Sequence, residues 1–132
     1  DAGLEIDVET IKWWLLQDKK AIDALFKISY PLSDVLREFT AFVTSNCNLT
    51  PKVWGNGATF DITILENAYS AVNQKPPWKF WNIRDCRTVE DISSDFINKS
   101  SIKREGTHHN ALDDAIYQAK YVSAMIRKLI LE

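Results

Sequence analysis

A long apolar stripe near the C-terminus constrains the fold more than any other feature of the sequence. Its residues recur in steps of three or four positions: Leu112, Ile116, Ala119, Val122, Ile126 and Leu129. Those steps place the side chains on one face of a helix, and such a face must be covered by another layer of the fold. Asn110 is predicted to be the N-cap of this helix, with Asp113 at its third position, where a carboxylate favours the helix dipole.

The rest of the chain alternates helical patterns with two short apolar segments, separated by Pro31, by the glycines of segment 55–57 and by Pro76-Pro77. The predicted elements are a helix from about Asp7 to Lys27, a second helix capped by Ser33 or Asp34, a strand over residues 50–54, a third helix opening at Asp61, a strand over residues 81–89 and a short helix over residues 89–97. This pattern predicts an α/β fold, rich in helix and with about two strands, in a single domain over residues 1–132.

Composition narrows the class of protein. The 132 residues carry 16 basic and 18 acidic side chains, a net charge of −2, which argues against tight nucleic-acid binding by phosphate neutralisation. An enzyme that holds metal ions on carboxylates and touches nucleic acid transiently is compatible with this balance. No apolar run approaches the ~18 residues of a membrane span, so we expect no membrane association. Cys47 and Cys86 fit no metal or redox spacing, and we expect two buried thiols in a cytoplasmic protein.

One candidate site lies at the start of the last helix. His109 directly precedes the predicted cap, and Asp114 lies one turn inside the helix. An imidazole beside a carboxylate suits a hydrolase that must deprotonate a metal-bound water. The alternative is a solvated helix start in which His108 and His109 are ordinary loop residues.

A second candidate site follows the first predicted strand. Gly55 and Gly57 allow a tight turn there, and Asp61 stands where the next helix begins. Such a turn delivers a carboxylate to the end of a sheet, where α/β proteins commonly place their sites. The alternative is that Asp61 only caps the helix.

Taken together, the two segments resemble motifs II and III of the DEDDh 3′–5′ exonucleases, the ribonuclease T-like branch of the ribonuclease H fold. The sequence is most similar to the phage and prophage exonucleases of the exodeoxyribonuclease VIII-like group. The segments that carry the resemblance occur in the family's order over nearly the whole chain: residues 10–15, 54–57, 56–61, 84–88, 109–114 and 118–124.

This resemblance implies an enzyme that removes 5′-mononucleotides from the 3′ end of single-stranded or 3′-ended DNA or RNA. It implies two divalent ions, Mg²⁺ or Mn²⁺, held by carboxylates. Asp61 matches the motif II ligand, Asp114 the motif III ligand and His109 the general base. Asp113 and His108 fall outside the motif, and the resemblance identifies no substrate-binding residues.

The family's first motif, Asp-x-Glu on an opening strand, has two interpretations here. Asp7-Val8-Glu9-Thr10 has the right lettering, but the helical stripe begins at Ile11 and leaves no room for the two strands that follow in the family. We therefore interpret Asp7 as a helix N-cap and Glu9 as a first-turn acid, a lookalike of the motif. The first three strands of the fold are then absent from this chain. Because the chain does not begin with Met, we expect processing, an excised fragment or an upstream segment.

A missing strand layer has consequences for partners. The strand around Trp54 would have an open edge, which upstream strands, a partner or a homodimer could cover. The missing motif also leaves a second function open, that of a catalytically degenerate prophage remnant acting as a binding or assembly module.

Residues 75–104 form one further segment of interest. They contain seven basic side chains against four acidic ones, with Trp78, Phe80 and Trp81 among them. Basic and aromatic groups together can track a single nucleic-acid strand by phosphate pairing and base stacking. The alternative is a solvated loop whose aromatic side chains pack inward.

Overall fold

The computed structural model describes residues 3–26 and 30–131, and it has two compact units, Asp1–Arg84 and Asp85–Glu132. The described chain is a mixed, helix-rich α/β structure with two short strands, as the sequence predicts, and these strands pair in parallel. The elements in chain order are α1 (Val8–Leu15), α2 (Lys19–Phe26), α3 (Leu32–Asn46), β1 (Val53–Gly55), α4 (Ala58–Ala71), β2 (Ile83–Asp85), α5 (Cys86–Ile92) and α6 (Ala111–Leu131), with 3₁₀ turns at Phe80–Asn82 and Lys99–Ser101.

The core of the first unit lies where α3 and α4 meet. Tyr69 is fully buried there, and its hydroxyl pairs with the Thr40 hydroxyl at 2.8 Å and donates to the Leu36 carbonyl at 3.2 Å. The ring of Trp78 packs edge-on against Tyr69 and Phe39, at centroid distances of 5.8 Å and 6.4 Å. A buried phenol with both polar contacts made is typical of a well-specified core.

The core of the second unit lies between α5 and α6. Cys86 and Val89 of α5 pack with Tyr121, Val122 and Met125 of α6. Burial, together with the neighbouring Cys86, raises the pKa of the Tyr121 hydroxyl, so this phenol stays protonated at any ordinary pH.

The predicted stripe on α6 is only partly correct. Val122 is buried and Ile126 packs against the core, but Leu112 and Ile116 are exposed. Within the second unit α5 has only seven residues, so it covers the middle of the 21-residue helix α6 and not its first turns.

The predicted helix from Asp7 to Lys27 is two helices, and Lys27 itself lies outside the described residues. The N-terminal prediction is confirmed, since the Asp7 carboxylate accepts the Thr10 N–H and caps α1. The break falls at residues 16–18, where the Asp18 carboxylate accepts the Lys20 N–H and begins a new helix. A short polar side chain that bonds the local backbone offers this alternative to a continuous helix.

The predicted caps of the next two helices are wrong. The N-cap of α3 is Pro31, whose carbonyl accepts the N–H groups of Asp34 and Val35, so neither Ser33 nor Asp34 caps it. The side chain of Asp34 instead pairs with Arg37. Helix α4 begins at Ala58, before the predicted opening at Asp61.

The predicted strands and the short helix also shift. Strand β1 covers Val53–Gly55, later than the predicted residues 50–54, and β2 covers only Ile83–Asp85. The Asp85 carboxylate ends β2, because it accepts the N–H groups of Arg87 and Thr88 and so caps α5. Helix α5 therefore occupies residues assigned to the strand and ends before the predicted Ile97.

Of the two thiols, Cys86 is buried as expected, but Cys47 is exposed, which corrects the prediction of two buried thiols.

Candidate active site

The turn that carries Asp61 joins β1 to α4. Gly57 is the N-cap, with φ of 102°, a left-handed conformation that glycine adopts without steric cost. Its carbonyl accepts the N–H groups of Phe60 at 2.9 Å and Asp61 at 3.1 Å. The helix start is therefore closed by a backbone carbonyl, and Asp61 lies in the first turn without acting as the N-cap.

The Asp61 carboxylate also stabilises this turn, through a hydrogen bond to its backbone. Its Oδ2 accepts the N–H of Asn56 at 2.7 Å. A Cβ at Gly55 would lie 3.0 Å from the Cα of Ala58 and 3.3 Å from the Cβ of Asp61, tighter than ordinary van der Waals contact, so the close approach of strand and helix favours glycine. The Asp61 side chain is exposed, and one N–H occupies only part of a carboxylate with about four lone-pair sites. Asp61 can therefore hold the turn and still bind a cation.

His109 and Asn110 shape the start of α6. His109 has φ of 63°, in the left-handed region that few residues other than glycine adopt. The Asn110 Oδ1 accepts the N–H groups of Leu112 at 3.1 Å and Asp113 at 3.2 Å, and its carbonyl accepts the Asp114 N–H at 2.9 Å. The predicted cap at Asn110 and the predicted third position of Asp113 are both confirmed.

Asp113 fixes the loop that precedes α6. Its Oδ2 accepts the Thr107 N–H at 2.8 Å. Gly106 has φ of 85°, and a Cβ placed there would lie 2.3 Å from the carboxyl carbon of Asp113. The Asp113 carboxylate thus packs against a glycine and bonds the backbone beside it, so its role in the structure is to hold this loop.

Asp114 forms an ion pair with Arg104, in contact through Oδ1 and a guanidinium nitrogen. The two side chains are 30% and 21% exposed, respectively, so the pair is shielded but not buried. The Arg104 guanidinium also lies 4.9 Å from the ring centroid of Tyr117, a cation–π contact, and its Nε is buried without a hydrogen-bond partner in the described chain. The Asp114 carboxylate, which the motif assigns to a metal ion, is therefore already paired with the positive charge of Arg104.

Sequence reasoning did not identify Arg104 as the partner of Asp114. The two residues are ten positions apart, across a loop without helical or strand periodicity, so no spacing rule connects them. Gly106 was a weak indication that the loop turns tightly between Arg104 and Asp114, since a glycine shortly before a helix cap is typical of a turn with positive φ.

The two histidines lie side by side. The ring centroids of His108 and His109 are 5.9 Å apart and the ring planes are inclined by 59°. Both side chains are exposed at the start of α6, so solvent and a substrate can reach either ring.

Asp7 and Glu9 have local partners in α1. The Asp7 Oδ2 accepts the Thr10 N–H at 2.8 Å and the Thr10 hydroxyl at 2.6 Å, and these bonds hold the pKa of the Asp7 carboxyl below its usual value. Glu9 pairs with Lys12 at 2.7 Å. Within the first unit these residues line an open groove of about 620 Å³ with Trp13, Trp14, Phe60 and Ile64.

The donor atoms at the candidate positions suit a hard divalent cation, because Asp61 and Asp114 offer carboxylate oxygens, the ligands that Mg²⁺ and Mn²⁺ prefer. These two carboxylates are few ligands for a metal site. Asp61 belongs to the first unit and Asp114 to the second, and no group of three or more His, Cys, Asp or Glu side chains among residues 3–26 and 30–131 is arranged to hold a metal ion.

Comparison with known families places the chain in a class of nucleases. The chain belongs to the family of the 3′-5′ exoribonuclease Rv2179c-like domain, whose model matches residues 1–126. This match confirms the predicted class of 3′–5′ exonuclease and indicates an exoribonuclease-like function with nucleic acid as substrate. No curated protein and no solved structure matches the chain significantly. In the part of the chain that the structure describes, no helix has the length and apolar character needed to cross a membrane.

Proposed function

We propose that the protein is a metal-dependent 3′–5′ exoribonuclease of the DEDDh type, with a ribonuclease H-like fold akin to that of the phage exonucleases. It hydrolyses the terminal phosphodiester bond of RNA and releases 5′-mononucleotides. The observation that carries the proposal is the family match over residues 1–126, within which Asp61, His109 and Asp114 each lie at the start of a helix.

In this proposal each residue has one role. Asp61 and Asp114 would hold the divalent ions, Mg²⁺ or Mn²⁺, and such ions would supply charge stabilisation at the phosphodiester oxygens. His109 is the general base and takes the proton of the attacking water. Support for His109 comes from its exposed ring and its left-handed backbone, because residues held in sparsely populated conformations concentrate at functional sites.

Directional mononucleotide release is the decisive measurement. The full-length protein should release labelled mononucleotide from a 3′-labelled single-stranded oligoribonucleotide in Mg²⁺ or Mn²⁺ and none in EDTA. A 5′-labelled copy of the same strand should give a ladder of shortening products, and a DNA strand of the same sequence measures the preference for RNA.

Controls separate this activity from a contaminating nuclease. Asp61→Asn, purified in parallel, should show no release, while a substitution at the exposed Phe42 on α3 should leave release unchanged. If the full-length protein releases no mononucleotide from RNA or DNA in either metal, the enzymatic proposal is wrong.

A second candidate function is a non-catalytic binding or assembly module. The observation that favours it is the local use of Asp7 and Glu9, one as a helix cap and the other in a pair with Lys12. Two remaining carboxylates would hold two ions weakly. Retained RNA binding without hydrolysis in either metal would support this function.

The compartment we propose is the cytoplasm. Cys47 and Cys86 are not joined in a disulfide, which agrees with a reducing environment.

A further inference from the structure

The 3₁₀ turn Phe80–Asn82 of the first unit presents two large aromatic side chains to solvent. Phe80 is 76% exposed and Trp81 is 60% exposed, and their rings contact edge to face at a centroid distance of 4.9 Å. The inward-packing interpretation of this segment therefore holds for Trp78 and is wrong for the other two aromatic residues.

The backbone that carries the pair is firmly anchored. Trp78 is 5% exposed and donates its Nε1–H to Glu66 at 3.0 Å, and Asn82 is buried on the other side of the pair. The Arg84 guanidinium donates to the Trp81 and Ile83 carbonyls, both at 2.8 Å. A platform fixed in this way loses little conformational entropy when a ligand binds to it.

Charge distinguishes this surface from the other exposed apolar residues. Residues 75–84 contain three cations and no acid, in a chain whose net charge is −2. Lys75, Lys79 and Arg84 make no ion pair with any carboxylate of the described chain. An exposed aromatic pair that is flanked in sequence by cations without ion pairs is complementary to bases joined by phosphates.

We propose that Phe80 and Trp81 form a stacking platform for bases of a single-stranded RNA, with Lys79 contacting a phosphate. The inference rests on the proposed function for its substrate class, and it names the RNA-binding residues that the motif resemblance leaves unassigned. Because β1 and β2 are parallel, the turn that precedes β2 and the Gly55–Asp61 turn that follows β1 lie at opposite ends of the paired strands. In this proposal the platform binds nucleotides upstream of the 3′ end.

The test is equilibrium binding by fluorescence anisotropy in EDTA, where hydrolysis cannot occur. The probes are a labelled single-stranded oligoadenylate and a labelled ribose-phosphate strand of the same length without bases. Phe80→Ala/Trp81→Ala should weaken oligoadenylate binding about tenfold or more and leave binding of the abasic strand unchanged.

Matched variants separate stacking from other effects. Trp81→Phe should retain most of the affinity, whereas Trp81→Leu, which keeps an apolar side chain without an aromatic face, should lose it. Lys79→Gln should weaken binding of both strands and reduce the log–log salt slope by about 0.7. Phe42→Ala removes a phenylalanine of α3 that is about as exposed as Trp81 and should change nothing.

Three results would overturn the proposal. One is wild-type affinity of the double variant for oligoadenylate, and another is an equal loss for the strand without bases. The third is a change of oligomeric state in the double variant with unaltered RNA binding, which would make this surface a contact between two copies. Because binding is measured without metal, a protein that binds through the platform but never hydrolyses RNA would refute only the proposed function.

Discussion

The two aspartates proposed as metal ligands occupy similar positions in very different surroundings. Asp61 lies in the first turn of α4, is exposed, and accepts one backbone N–H from Asn56. Asp114 lies in the first turn of α6 and is paired with the half-buried Arg104. The same element type at the same position therefore yields one carboxylate with its charge open to solvent and one with its charge already compensated.

This difference separates what each carboxylate contributes to folding from what it contributes to catalysis. Neutralising Asp61 leaves an amide that can still accept the Asn56 N–H. Neutralising Asp114 leaves the shielded Arg104 guanidinium, whose Nε already has no hydrogen-bond partner in the described chain, without a compensating charge. We therefore expect equal effects on activity and unequal effects on stability.

The largest expected effect is the loss of hydrolysis in Asp61→Asn and Asp114→Asn, which should both reduce mononucleotide release below detection. Asp114→Asn should also lower the free energy of unfolding by about 1–2 kcal/mol, between the values for exposed and buried ion pairs. Asp61→Asn should lower it by less than about 0.5 kcal/mol. Urea unfolding followed by circular dichroism measures both.

The Arg104→Gln variant provides the matched control for this comparison. If the ion pair is what Asp114 contributes to folding, Asp114→Asn/Arg104→Gln should be no less stable than Asp114→Asn alone. Activity per folded molecule that survives Asp114→Asn would show that Asp114 is a structural residue and not a ligand.

The next effect concerns the two adjacent histidines. His109→Ala should reduce turnover by roughly 10²–10⁴, the usual contribution of general acid–base catalysis, while His108→Ala should be close to silent. Because the rings are only 5.9 Å apart, this pair tests the motif register sharply.

Metal binding provides a separate measurement for the same variants. Calorimetric titration with Mn²⁺ should give similar affinities for wild type and His109→Ala, because the carboxylates hold the ions. If His109→Ala and His108→Ala reduced turnover equally, or if only His108→Ala reduced it, the assignment of His109 as the general base would be wrong.

A smaller effect distinguishes the two glycine turns. Gly106→Ala should lower the free energy of unfolding by about 2–3 kcal/mol, because alanine is strained at φ of 85° and its Cβ would displace the Asp113 carboxylate. Gly55→Ala should cost about 1 kcal/mol, since its contacts are looser and its φ is ordinary. Chemical unfolding of both variants measures the difference.

Pairing each change with its neighbour identifies the cause. In Gly106→Ala/Asp113→Ala the steric conflict is removed, so the loss should be smaller than the sum of the single changes. A fully additive pair would mean that backbone strain alone makes glycine necessary at position 106.

Local signals explain what the sequence predicted correctly. The caps at Asp7 and Asn110 are confirmed because each side chain accepts a backbone N–H two or three positions away. Such an interaction depends only on residues close in sequence. The same rule failed at α4. Aspartate is a residue type that often caps helices, but the N-cap of α4 is Gly57 and not Asp61. Gly57 has a left-handed conformation that no other residue type adopts as easily.

Contacts across longer separations could not be predicted. The pairing of Arg104 with Asp114 depends on the path of an irregular loop, and the exposure of Phe80 and Trp81 depends on which neighbouring side chains fill the core. Apolar periodicity marked Leu112 for burial, but the extent of a covering element sets burial, and α5 ends too early.

The smallest expected effect tests whether Asp7 acts as a cap. Hydrogen bonds from Thr10 lower the pKa of the Asp7 carboxyl in the folded protein, so its contribution to stability is complete above the unfolded pKa, near 3.8. That contribution is lost as pH falls through the lower, folded pKa. Asp7→Asn keeps an oxygen that accepts the Thr10 N–H but removes the charge, so its thermal midpoint should match wild type below this window and fall slightly short above it. Asp7→Ala removes the cap itself and should be less stable than Asp7→Asn at every pH. If Asp7→Asn instead abolished RNA hydrolysis at neutral pH while unfolding like wild type, Asp7 would belong to the metal site and Asp-x-Glu would be the family's first motif.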